Sequence, residues 1–151
     1  MAVWQFYFQL LPVERENLSL RILDNCNSVD IFREELPQKQ SWSKDIRLFG
    51  HDDKTCVEVF VCNTVIEQIL VRIDLRSITR KQLECIVKFA AVNHLRMSYN
   101  DGKSGNEIIT SVTLENILSA MQASAAYAFV RNPNDFINSI HQSRVGNKSQ
   151  T

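Results

Sequence analysis

Glycine is scarce in this chain, with 4 among 151 residues, and proline scarcer still, with 3. So few glycines leave no loop able to cradle a phosphate on backbone amides, and neither the Walker-type nor the dinucleotide fingerprint occurs. Charge of one sign is also missing, because 17 basic residues balance 17 acidic ones. That balance withholds the broad positive field that draws in nucleic acid or an anionic membrane. The longest apolar stretch, Ser124 to Val130, falls far short of the roughly 20 residues that span a bilayer. No basic segment precedes the apolar residues at the amino terminus, so no secretory signal is expected and the protein reads as cytoplasmic. The cysteines, Cys26, Cys56, Cys62 and Cys85, sit in a chain long enough to build its own core, so reduced thiols are expected.

Catalytic constellations are equally sparse. A zinc site needs three or four converging ligands, whereas Cys56 and Cys62 would lie about 20 Å apart on an extended strand. His51 with Asp52 and Asp53 is the one dense group of ligand types, and its setting reads as a solvated hairpin turn. Cys85 and His94 would be separated by roughly 13 Å along a helix, too far for a nucleophile and its base. The nucleophile-elbow and zinc-protease motifs are absent. The expectation is a protein that is not an enzyme, with no metal and no cofactor.

What the chain does contain is patterned secondary structure. Val65 to Arg76 alternates with period two, placing Val65, Ile69, Val71, Ile73 and Leu75 on an apolar face and Arg72, Asp74 and Arg76 on a charged one. From Thr79 the period becomes helical, with Leu83, Ile86, Val87, Ala90 and His94 as a stripe, and Thr79 with Gln82 forms a capping box. The stripe is expected to lie against the Ile69, Val71, Ile73 face. Trp4, Phe6, Phe8 and Leu10 alternate as the core face of an N-terminal strand ended by Pro12, and Leu18, Leu20 and Ile22 alternate like a second strand.

Val29 to Leu36 reads as a short helical turn, and Gln38 to Ser43 as a loop. Ile46 to Phe49, Thr55 to Cys62 and Val65 to Arg76 then make an antiparallel meander, and His94 to Tyr99 a further strand. Asn100 to Asn106 reads as a loop. Thr113 caps a helix through Leu114, Ile117, Leu118, Met121 and Ala125, and Asp135 to His141 reads as a short terminal helix after Pro133. The expected architecture is α+β: a mostly antiparallel meander sheet, two main helices packed on one face and a short C-terminal helix. Residues 1–144 form one domain and 145–151 a flexible tail.

Such a sheet leaves a second face for function. Arg72 and Arg76, with Lys44 and Arg47, could meet phosphates and Trp42 could stack a base, but Asp74 between the arginines and the neutral charge disfavour nucleic acid. Cross-strand ion pairing accounts for those arginines more simply. Protein binding fits better, because aromatic residues such as Trp42 and Phe60 within a mixed-charge surface combine anchors with electrostatic selection. Phe60 is either an exposed anchor or, if a helix covers that face, part of the core.

Several segments together resemble a known group. Trp4, Phe6 and Phe8, then Ser41-Trp42-Ser43, Phe49-Gly50, the Arg72-Ile73-Asp74-Leu75-Arg76 strand end, and Phe129-Val130 ahead of Asn132-Pro133 and Phe136 look like the immunity proteins encoded beside bacterial polymorphic or contact-dependent growth inhibition toxins. The resemblance spans most of the chain and rests on scaffold positions. It implies a cytoplasmic protein that neutralises one cognate toxin domain by stoichiometric binding. Such families vary their binding surfaces, so the resemblance assigns no contact residues; a few aromatic or arginine anchors within a charged rim are expected to carry affinity, namely Trp42, Phe60, Arg72 and Arg76, with Asp52 and Asp53 as the acidic contribution. The alternative is a nucleic-acid or small-ligand binding module, with an enzyme third.

Overall fold

The computed structural model describes residues 4–12, 22–23, 28–51, 53–63, 65–102 and 107–129. The elements are β1 (Gln5–Pro12), β2 (Ile22–Leu23), a 3₁₀ helix (Ser28–Glu34), β3 (Gln38–Lys39), β4 (Ile46–Gly50), β5 (Cys56–Cys62) and β6 (Val65–Asp74). They are followed by α1 (Arg80–Val92), β7 (Leu95–Asn100), β8 (Glu107–Ser111), α2 (Leu114–Gln122) and α3 (Ala125–Phe129). Seven strands run in the order β3-β4-β5-β6-β1-β7-β8, and β2 pairs with Val65 and Ile66 of β6. Every pairing is antiparallel. The fold is therefore α+β, with α1 and α2 as its two main helices and α3 as a short one.

The meander from β3 to β6 follows from short connections between alternating strands. The N-terminal strand then enters between β6 and β7, so that α1 carries the chain over β1 from one neighbour to the other. Cross-strand register sets the two faces of the sheet. Phe6, Phe8 and Leu10 oppose Ile73, Val71 and Ile69, and Val57 and Val59 oppose Val71 and Ile69 from the other side. These side chains are all buried and join Leu83, Ile86, Phe89 and Ala90 of α1 and Ile117, Leu118 and Met121 of α2 in one core cluster. Phe32 of the 3₁₀ helix closes it, with its ring 4.4 Å from Phe89 and 5.4 Å from Phe49. The outer face carries Tyr7, Gln9, Glu58, Phe60, Leu70 and Arg72, all partly exposed.

Local signals survive well. Thr79 Oγ1 accepts from the Gln82 amide and Gln82 Oε1 from the Thr79 amide, both at 3.2 Å, completing the capping box. Replacing Thr79 with alanine removes an acceptor from the first turn and is expected to cost about 1 kcal/mol. A thermal melt should register that as a fall of about 2–4 °C. Thr113 caps α2 in the same way, accepting from Asn116 N–H at 3.0 Å.

Several expectations are corrected. The alternation of β6 is broken by a register shift opposite Phe60 and Val61: Phe60 faces Gln68, but Val61 faces Ile66. Glu67 is the extra residue, and the resulting bulge turns Ile66 into the core at 0% exposure. The strand stops at Asp74 rather than Arg76, because the Asp74 carbonyl accepts from Ser77 and Ile78 N–H and closes a turn. The helix ends at Val92, leaving His94 exposed with φ 55° and outside the stripe, while Phe89, which the stripe omitted, is fully buried in the core. Gln38 and Lys39 are a strand, not a loop, since they pair with Phe49 and Leu48.

Ala125 begins α3 instead of ending α2. Ser124 divides the two helices by donating to the Met121 carbonyl and accepting from Tyr127 N–H. The expected strand residues Leu18 and Leu20, the helix Asp135 to His141 and the tail 145–151 lie outside the described residues.

Candidate functional site

Two groups of side chains stand at the two ends of β5. The first forms around Asp74. Its carboxylate is 2% exposed and accepts from Arg76 Nε and Nη2, both at 3.1 Å, as well as from the Arg76 amide at 2.9 Å. The Asp74 amide donates to Oγ1 of buried Thr55 at 3.0 Å, tying the turn after β6 to the start of β5. Arg76 lies with its Cζ 3.9 Å from the centre of the Trp4 ring, a cation–π contact. The hydrogen bond to Asp74 raises the Arg76 pKa against a desolvation penalty, and the fields of Asp74 and Asp53 add to the rise. Arg76 is thus fixed on one side by a buried acid and an aromatic face, and its side chain remains 49% exposed on the other.

Arg72 stands between two cross-strand neighbours, Tyr7 on β1 and Cys56 on β5. Its Nη2 donates to Cys56 Sγ at 2.9 Å. Burial works to lower the Arg72 pKa, but Cys56, a hydrogen bond with Tyr7 and the charge of Glu58 together raise it. The expected ladder of Arg72, Asp74 and Arg76 along one strand face is therefore not what forms. Asp74 serves Arg76 within a turn, while Arg72 joins three strands through a thiol and a phenol.

The second group is aromatic. Trp42 is 82% exposed in the connection between β3 and β4. Serine side chains shape that connection, since Ser43 N–H donates to Ser41 Oγ and Asp45 N–H to Ser43 Oγ, each at 3.2 Å. The Asp45 carbonyl accepts from Val61 N–H at 2.8 Å, which holds the loop beside the end of β5. Phe60 is half-buried there, on the outer face opposite Ile46 and Gln68.

Phe60 and Arg72 thus share a face. Four residues of strand, about 13 Å, separate the Cys56–Arg72 pair from the Phe60–Gln68 pair. Glu58 and Leu70 lie between them. The loop that carries Trp42 adjoins the aromatic end through Asp45, and Arg76 with exposed Asp53 stands at the charged end. Asp52 lies outside the described residues.

Two further features bear on chemistry. The Cys85 thiol donates to the Ile31 carbonyl at 2.8 Å, and burial, reinforced by Glu34 and Glu35, pushes its pKa up to about 11. A thiol held protonated in this way packs instead of attacking. Among the described residues no group of three His, Cys, Asp or Glu side chains could hold a metal, and no helix is long and apolar enough to cross a membrane.

A cleft of about 380 Å³ was not foreseen from the sequence. The β1–β7 pairing stops at Gln9 and Ser98, and beyond it Gln5 to Phe8 diverge from Tyr99 to Gly102. Tyr7, Gln9, Leu70, Asn100 and Glu107 line the opening, with Ser98 Oγ donating to Glu107 Oε2 at 3.2 Å. Its only sequence trace is the polar alternation of Gln5 and Gln9, which carries no sign of the strand that β1 pairs with.

Comparison of the chain with protein-family models, with curated proteins and with solved structures finds no match in any of the three.

Proposed function

We propose that this chain is an immunity protein that binds a cognate bacterial toxin domain in the cytoplasm and neutralises it stoichiometrically, without cofactor or turnover. The observation that carries the reading is Trp42, a large aromatic side chain 82% exposed on a loop fastened to the sheet. A tryptophan so placed contributes little to the core and has the character of the aromatic anchors that dominate binding energy in protein interfaces. Phe60 offers a second apolar surface on the outer face, with Glu58 beside it on β5, and Asp53 and Arg76 at the other end of that strand add charges of both signs. This rim suits a partner of mixed charge and does not require a strongly basic nuclease.

The test is binding to, and protection of cells from, the toxin domain encoded beside this gene. Trp42→Ala is expected to weaken the complex by about 30-fold or more, the equivalent of a hot spot near 2 kcal/mol. Because Trp42 is exposed, the variant should keep the thermal stability of the parent, so lost affinity would report the interface. A parent protein that neither binds nor protects removes the reading.

The cleft between β1 and β7 supports a second reading, a small-ligand binding module. Its volume falls near the lower end of the range for small-molecule sites, roughly 300–1,000 Å³, and it combines apolar walls with a few polar groups. Thermal stabilisation of the isolated chain by a small molecule, lost on filling the cleft with Ser98→Phe, would favour it.

A further inference from the structure

We infer that β8 is a dimerisation strand, pairing antiparallel with β8 of a second copy about a two-fold axis at Ile109. The inference goes beyond the immunity reading and does not depend on it. Its starting point is a difference between the two edges of the sheet. The β3 edge is only two residues long, follows Pro37, carries Lys39, and has the Arg33 side chain bonded to Gln38. Those are the usual devices that stop a sheet from growing. The β8 edge has five residues and neither proline nor lysine, and Ile108 and Ile109 are 36% and 53% exposed. Among the described residues no strand pairs with its outer side.

The sequence of β8 selects a second copy as the occupant. A sheet that continues across a two-fold axis keeps its two faces, so opposed residues must share a face and the axis must pass through a residue. With the axis at Ile109, each Ile109 meets the other, Ile108 meets Thr110, and Glu107 meets Ser111. No like charges are opposed. An axis at Ile108 would instead set Glu107 against Ile109, and one at Thr110 would carry Glu107 beyond the strand to Thr113, the cap of α2.

Charge complementarity reinforces the same register. Ser111 is paired on its inner side with Arg96 of β7, which is exposed. On its outer side the proposed register places Glu107 of the second copy. Arg96 and that Glu107 are then two strand spacings apart, about 10 Å between backbones, on the same face and with only the small Ser111 between them. Two long side chains span that distance once Glu107 turns outward from the Ser98 hydroxyl that donates to it at 3.2 Å, and the axis makes the ion pair twice. At the far end of the strand Asn116 Nδ2 donates to the Ser111 carbonyl at 2.9 Å and to Thr110 Oγ1 at 3.3 Å, fixing the edge where it leads into α2. The interface is small, so association should depend on concentration.

Sedimentation of the full chain over a concentration series tests this. The weight-average mass should rise from 17.4 kDa towards twice that value. Arg96→Glu and Glu107→Arg should each stay at the single mass, because every copy of the cross-axis pair becomes repulsive. An equimolar mixture of the two variants should restore the doubled mass, since both pairs are attractive again in the mixed dimer. Ile109→Lys should remain single in any mixture. Circular dichroism establishes that these exposed-site variants are folded. The inference is overturned by a parent chain that stays single at its highest soluble concentration, by single charge reversals that still dimerise, or by a mixture that does not recover.

Discussion

Replacing Phe89 with alanine is expected to destabilise the protein by about 3–5 kcal/mol, a large share of the 5–15 kcal/mol that holds a typical domain folded. Phe89 is fully buried on α1, and its ring meets Phe32, which in turn meets Phe49 on β4. One side chain therefore joins the helix, the 3₁₀ helix and the sheet. The surroundings cannot easily collapse into the space, because Phe32, Phe49 and Ile86 are at 0% exposure and already committed to the cluster. Urea unfolding should show a lower midpoint with an unchanged slope, the signature of lost stability without a change in the surface exposed. Phe89→Leu, which keeps most of the volume, should recover more than half of the loss. Equal effects from the two variants would mean that the aromatic stack itself, and not the volume it fills, holds the 3₁₀ helix in place.

The features legible in the sequence are those whose partners are close along the chain. Thr79 and Gln82 meet within one helical turn, so their reciprocal bonds follow from spacing alone. The alternation of Phe6, Phe8 and Leu10 likewise dictates which face of β1 is buried. Nothing in that alternation says that β1 lies between β6 and β7, because the pairing is chosen by the whole sheet. The burial of Asp74 was hidden for the same reason, since the hydroxyl that takes its amide belongs to Thr55, on another strand. Once the strand is closed by a turn at Asp74, Arg76 has to leave the sheet face and settle over Trp4. The bulge at Glu67 escaped a strict period of two, which allows no extra residue. Trp42 and Phe60 were legible as candidates, but the Asp45–Val61 hydrogen bond that ties the Trp42 loop to the end of β5 was not.

Gly50→Ala should couple stability to the charged end of the outer face. Gly50 ends β4 with φ +93°, a conformation that strains any residue with a Cβ. An added Cβ would also lie 2.3 Å from the Thr55 carbonyl oxygen and 3.1 Å from the Cys56 Cα, both backbone atoms of the neighbouring strand. Relief requires β4 and β5 to part. Together the backbone strain of about 1–2 kcal/mol and overpacking of about 1–3 kcal/mol predict a loss of roughly 2–5 kcal/mol. Gly102→Ala separates the two contributions: Gly102 has φ +73° but nothing within 4 Å of an added Cβ, so it should show the backbone strain alone. The displacement at Gly50 would fall first on Thr55, whose hydroxyl holds the Asp74 amide, and through Asp74 on the guanidinium stacked over Trp4. Tryptophan fluorescence of folded Gly50→Ala should therefore shift, while that of Gly102→Ala should not. If Gly50→Ala is no less stable than Gly102→Ala, the β4–β5 turn yields freely, and Arg76 owes its position to Asp74 and Trp4 without support from Thr55.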